Sequence, residues 1–283
     1  MRAGEASQTA IMAATVRGLH RWEFPAPWVF DDPLALVLVG PAWRDIRARL
    51  VEVLGEALLR TTSSMLVARA RYVEDRLAAG TFDQYVILGA GLDSFAWRHP
   101  DALAAGLRLF EVDHPASQAW KLARVAELGL PRSDRHVFAP VDFETETLVD
   151  GLDRVGFDWS RPTFFSWVAV MPYLTLEATE ATLRTLAQSA TGSQLVLSYL
   201  ITPQLMEDIG RDFFDRFSGM AAAIGEPLQL MLTPKEAEAL VQRCGLEVAD
   251  HPTRDDMEAR YFAGRTDGFR PITFEQFLTA TVP

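Results

Sequence analysis

In QYVILGAGLDSFAWRHP, residues 84–100, a run of β-favouring residues from Tyr85 to Leu88 enters the turn Gly89-Ala90-Gly91. Leu92-Asp93-Ser94 follows and can open a helix. A glycine turn after a buried strand aims backbone N–H groups at a ligand and lets that ligand approach closely. The next apolar run ends in Glu111-Val112-Asp113. An acid at the end of a second strand, about 20 residues beyond the glycines, is placed to accept hydrogen bonds from ribose hydroxyls. Gly89, Gly91 and Asp113 together point to an adenosine-type ligand.

Two details separate that ligand from a dinucleotide. The third glycine of G-x-G-x-x-G would fall on Ser94, and Asp93 would stand beside the pyrophosphate. A carboxylate next to phosphate is costly in a partly desolvated pocket. S-Adenosylmethionine carries an ammonium, a sulfonium and one carboxylate, and no phosphate, so Asp93 is compatible with it; Asp93 reads equally well as the N-cap of the following helix. A third run ends at Val141-Asp142-Phe143, where an acid and an aromatic can bond an adenine amino group and pack on its ring. Asp142 could instead cap the segment after it.

Outward from this stretch, the runs YVILG, LRLFEVD, HVFAPVD, TFFSWVAV and SQLVLSYL alternate with helical or turn segments. That alternation predicts βαβ units and a mostly parallel sheet buried on both faces. Residues 1–80 read as an N-terminal helical cap, in which Asp32-Pro33 caps LALVL and Gly80 closes a long helix. Residues 81–201 form the α/β core, 202–232 a helical lid insertion, and 233–283 the completion of the core. That last part opens on the capping box Thr233-Pro234-Lys235-Glu236.

The bulk composition excludes several classes. At 49% hydrophobic and 23% charged residues, the chain can bury a core. A net charge of −11, with scattered arginines, argues against nucleic acid as a partner. The longest apolar run, Leu34 to Val39, cannot cross a bilayer, which needs about 20 residues. With no apolar leader after Met1 and a lone Cys244, the expectation is a cytoplasmic protein off the membrane, its thiol buried and inert.

The ordered motifs ARARYVEDRL, ILGAGLDSFAWR, FEVDHP, PVDF, FFSWVAVMPYLT and YFAGRTDG resemble those of the leucine carboxyl methyltransferase family of class I S-adenosylmethionine-dependent methyltransferases, especially its actinobacterial small-molecule branch. The resemblance implies a Rossmann-like fold with a seven-stranded, mostly parallel sheet. It also implies S-adenosylmethionine as cofactor, S-adenosylhomocysteine as product, and O-methylation. Gly89, Gly91 and Asp113 map to the cofactor, as do Asp142 and Phe143. Arg69, with Arg71 as fallback, maps to an arginine gripping the cofactor carboxylate, a job that suits a guanidinium fork. Ser166 is counted among the cofactor contacts, and His114 packs near the adenosine. Ser166-Trp167-Val168 stands where many members carry a glutamate, and TAIMAATVRG lacks the lysine that some place in the first helix.

No His-Asp dyad and no acidic cluster suggests a base or a metal site. A carboxylate acceptor is ionised at pH 7 and needs no base, so a carboxyl, or else a hydroxyl, of a small natural-product-like molecule is the expected acceptor. Protein C-terminal carboxyl methylation, and a non-catalytic or repurposed member that binds the cofactor as a binding module or catalyses a non-transfer reaction, are the alternatives. Tyr173, at the carboxyl edge of the sheet, is placed to orient the acceptor. His20, Arg21 and Trp22 in the aromatic segment near the N-terminus, Trp167, and Arg260, Tyr261 and Arg265 in RYFAGR are the other substrate candidates.

Overall fold

A computed structural model describes residues 7–142 and 145–283. Strands β1 (Gln84–Leu88), β2 (Arg108–Asp113), β3 (His136–Pro140), β4 (Thr163–Trp167) and β5 (Gln194–Ile201) run parallel, as the alternating runs predict. β7 (Glu247–Asp250) and β8 (Glu275–Thr281) complete the order β3-β2-β1-β4-β5-β8-β7, with β8 antiparallel to both its neighbours. The expected seven strands form this path, and an eighth of two residues, β6 (Met231–Leu232), pairs with β5 beside it. Every residue of β1 is buried, which explains its unbroken apolar character: helices cover both faces of the sheet.

The helices before β1 follow local signals. α1 (Gln8–Glu23) is capped by Ser7, whose hydroxyl accepts the Ala10 N–H. α2 (Ala35–Val39) and α3 (Trp43–Leu54) lead to α4 (Glu56–Ala79). α4 lays Val67, Ala68, Tyr72 and Val73 against Tyr85, Ile87 and Phe164 on one face of the sheet. The opposite face packs Val86, Leu88, Phe110 and Phe165 with Leu183 and Leu240. A third cluster joins Leu19, Leu59 and Met65 of the cap to Phe213 and Phe274. Phe213 lies on the helix Asp208–Ala223, so the 202–232 segment is docked on the N-terminal helices.

Chain order reverses between β1 and β4, which are hydrogen-bonded neighbours with Ile87 opposite Ser166. Open α/β sheets hold ligands in the crevice outside such a switch point. The residues immediately after β1, β2 and β4 therefore border that crevice.

Candidate functional site

Gly89 and Ala90 donate their N–H groups to the Val112 carbonyl at 2.9 and 3.1 Å, tying the turn to the end of β2. Gly89 sits at φ 73° and Gly91 at φ 49°, in the left-handed region that glycine enters without a Cβ penalty. A Cβ on Gly89 would lie 2.4 Å from Val170 Cγ2, and one on Gly91 would lie 3.0 Å from Ala10 Cβ. The loop after β4 and the first turn of α1 thus close on the glycine turn from two sides. Asp113 reaches into it: Oδ2 accepts the Gly91 N–H at 2.5 Å and Oδ1 accepts the His114 N–H at 2.7 Å. Burial raises the Asp113 carboxyl above its ordinary value, and these two N–H groups oppose the rise. Asp93 Oδ1 accepts the Phe95 N–H at 2.7 Å, but Ser94, not Asp93, holds the N-cap position of the helix that follows, so the expected cap falls on its neighbour. Burial raises this carboxyl too, against the pull of Lys121, Arg98 and Arg17.

Of the two candidate arginines, Arg71 pairs with Asp75 at 2.7 Å on the exposed side of α4, whereas Arg69 turns inward. Arg69 Nη1 donates to both oxygens of Glu275, at 3.2 and 3.1 Å. Among the described residues its Nε and Nη2 have no hydrogen-bond partner, although its side chain is only 12% exposed. That free edge is what a ligand carboxylate needs. Glu275 also accepts the Ser198 hydroxyl at 2.5 Å, and Ser198 Oγ accepts the Ala169 N–H at 2.8 Å. Ala169, just past β4, holds φ 58°, a strained position for a residue with a Cβ and of the kind that clusters at ligand sites. Tyr173 lies in the same neighbourhood. Burial raises its hydroxyl above the ordinary value, with Glu226 and Glu275 reinforcing the rise and Arg69 opposing it. Thr9, beside Ala10, donates to Glu226 at 2.7 Å, and Gln229 donates to the Tyr173 carbonyl at 2.6 Å.

The other expected residues fall in several places. Asp142 follows β3, half-buried, with its N–H donated to Glu146; Phe143 lies outside the described residues. His114 caps the helix Pro115–Glu127 by accepting the Ala116 N–H on Nδ1. Ser166 is buried, with its hydroxyl 3.0 Å from that of Tyr85. Trp167, expected on the substrate side, is 2% exposed in the core with Val86 and Leu88, because side chains alternate along β4 and its position points under the sheet. His20 is likewise a core residue: it is fully buried, accepts the Val29 N–H on Nε2 at 2.9 Å and stacks on Phe269 at 4.8 Å. Burial, followed by the charge of Arg265, lowers its pKa from 6.5 to about 4. Trp22 is 62% exposed and packs edge-on against Trp43, and Arg21 pairs with Asp31. Arg265 is committed to Asp267 and the Pro27 carbonyl, and Arg260 to Asp250. Tyr261 packs on the outer side of α4, where Arg71 lies 6.0 Å from its ring. Cys244 is buried, and burial raises its thiol.

Sequence reasoning missed Glu275, Ser198 and Glu226, and saw Asp32 only as a helix cap. It also missed Lys121, fully buried against Glu111 at 2.5 Å on the helix behind Asp113. Its one available signal was a lysine within an otherwise amphipathic helix, which a solvated face explains equally well.

The arrangement fits a phosphate-free, cationic adenosine ligand: two carboxylates line the glycine turn, and one arginine keeps a free edge for a carboxylate. No group of three or more His, Cys, Asp or Glu side chains able to hold a metal occurs among the described residues, and no helix there is long and apolar enough to cross a membrane.

The architecture is that of class I methyltransferases. In solved structures it matches a DUF574 family protein from Streptomyces avermitilis (TM-score 0.61, 17% identity, 99% of each chain) and a methyltransferase, provisionally so named, from Thermobifida fusca (TM-score 0.62, 15% identity, 98% of this chain and 95% of that one). The leucine carboxyl methyltransferase profile matches residues 10–187. YktD of Bacillus subtilis, provisionally named an S-adenosyl-L-methionine-dependent methyltransferase, is 31% identical over 99% of both chains. A Mycolicibacterium smegmatis protein with the same provisional description is 33% identical over 76% of this chain and 75% of its own. The chain therefore belongs to the leucine carboxyl methyltransferase family.

Proposed function

We propose that this S-adenosylmethionine-dependent methyltransferase methylates an oxygen of a small acceptor by in-line displacement. The observation that supports the cofactor half of this reading is the Asp113–Gly91 hydrogen bond, which holds the carboxylate against the glycine turn at the switch point, where ribose hydroxyls would donate to it. When bound, the cofactor supplies a methyl group on a sulfonium whose thioether leaves uncharged. Asp113 holds the ribose hydroxyls, Asp142 the adenine amino group, and the free edge of Arg69 the carboxylate. The chain's remaining task is alignment and exclusion of water, since the donor is already activated. α1 and the 202–232 insertion, latched by Thr9 and Glu226, supply the cover.

On the acceptor side the carboxyl stays the first choice and a hydroxyl the alternative: a carboxylate is ionised at pH 7 and attacks with no proton to lose, whereas a hydroxyl must hand its proton to a base, and none is assigned beside Tyr173. The test is incubation with methyl-labelled cofactor and a small-molecule extract of the producing organism. Label that survives mild base marks a methyl ether, label released as methanol marks an ester, and label confined to protein overturns the small-molecule reading.

A further inference from the structure

The far side of the glycine turn is held by residues of the N-terminal helices. Arg17, on α1, donates Nη2 to the Leu92 carbonyl at 2.8 Å and Nε to Asp32 Oδ2 at 2.8 Å. The same Asp32 oxygen accepts the Ser94 hydroxyl at 2.7 Å. Asp32 Oδ1 accepts the N–H groups of Leu34 and Ala35, each at 3.0 Å, so the carboxylate is saturated. Arg98 completes the cluster, donating Nε to Ser94 Oγ at 2.8 Å while its other nitrogens pair with Glu74 of α4. Asp32 is 3% exposed, and the Arg17 side chain 14%. Burial works to raise the Asp32 carboxyl, but Arg17, Arg98 and Ser94 outweigh it and hold it below the ordinary value.

Such a clamp is what this turn lacks in itself. With two glycines at positive φ, the segment has many accessible conformations and few side-chain contacts of its own to choose among them. Arg17 and Asp32 seize it at Leu92 and Ser94, one residue on either side of Asp93. They do so from positions 75 and 62 residues away in the chain. Capping of α2 accounts for only one oxygen of Asp32, and the bond from Arg17 to a turn carbonyl serves no helix. We infer that Arg17 and Asp32 are positioning residues for the cofactor turn, so that the N-terminal cap sets the cofactor affinity of the α/β core. The inference rests on the reading that residues 89–94 hold S-adenosylmethionine.

The test uses the full chain and two ligands, S-adenosylhomocysteine and 5′-methylthioadenosine, which shares the adenosine but lacks the amino-acid end. Arg17→Lys keeps a positive charge beside Asp32 but cannot fork to Leu92; Ser94→Ala removes the hydroxyl that Asp32 grips and is the milder change. Calorimetry well below the melting transition should show each variant binding both ligands more weakly by the same factor, roughly fivefold or more. A lowered melting temperature with both affinities unchanged would mean a purely structural clamp and overturn the inference, as would a loss confined to S-adenosylhomocysteine. Asp113→Ala is the control. If it weakens binding while Arg17→Lys and Ser94→Ala do not, positioning fails and the cofactor site stands; if it too leaves binding unchanged, both fall.

Discussion

The carboxylate of Asp113 accepts the amide of Gly91 at 2.5 Å, across the ends of two neighbouring parallel strands. A ligand whose ribose hydroxyls donate to Asp113 would therefore meet the glycine turn at the same moment. Asp113→Ala is expected to weaken S-adenosylhomocysteine binding by at least about 1 kcal/mol, through loss of charge-assisted hydrogen bonds. Isothermal calorimetry checks this, and unchanged affinity would remove Asp113 from the site.

The same carboxyl makes binding sensitive to acid. Burial places its pKa above the ordinary 3.8, so the ionised form that accepts hydrogen bonds is lost earlier on acidification than for an exposed aspartate. S-Adenosylmethionine affinity should be constant near neutrality and fall as pH drops through that raised value. In Asp113→Asn the fall should be shallower, as read from titrations at a series of pH values.

Arg69→Lys should separate the two ends of the cofactor. A lysine cannot offer Glu275 and a ligand carboxylate a planar fork at once. S-Adenosylhomocysteine affinity should drop by roughly 1 kcal/mol or more, with 5′-methylthioadenosine unaffected. Equal losses for both would place Arg69 away from the carboxylate.

Gly89→Ala combines a left-handed φ of 73° with a contact of 2.4 Å to Val170. The backbone cost alone is about 1–2 kcal/mol. Adding Val170→Ala should recover the steric part and leave the conformational part, a difference measurable as urea midpoints at constant slope.

His20 supplies a stability signature. Its folded pKa is depressed from 6.5 to about 4, so the unfolded chain binds the extra proton between those values. Its contribution is present above pH 6.5 and is lost as pH falls toward 4, up to about 3 kcal/mol. His20→Gln should flatten the decline in urea stability between pH 6.5 and 4 relative to the parent chain, and an identical pH profile would refute the assignment.

Much of this was legible locally. β1 to β5 announce themselves as short apolar runs, Thr233 and Glu236 form the capping box their spacing predicts, and Gly89, Gly91 and Asp113 assemble as their order suggests. Each of these rests on backbone preference, hydrophobic period or a short chain distance, all written in neighbouring residues.

Partners across the fold are written nowhere locally. Whether Arg69 or Arg71 turns inward depends on how α4 rotates onto the sheet, and Glu275 meets Arg69 only because β8 inserts beside β5, 206 residues along the chain. Trp167 and His20 looked like substrate contacts because aromatic and polar side chains are ambiguous in sequence. Packing made one a core residue and gave the other a single buried hydrogen bond. Asp32 reads as an ordinary helix cap until α1 folds back and brings Arg17 and Ser94 to its second oxygen. Sequence thus dictated the sheet, the turn and the acid at its edge, because strand period and glycine freedom are local; which charges are buried beside that turn, and with what partners, was decided by tertiary packing, because burial sets both the cost of a charge and the partner it must find.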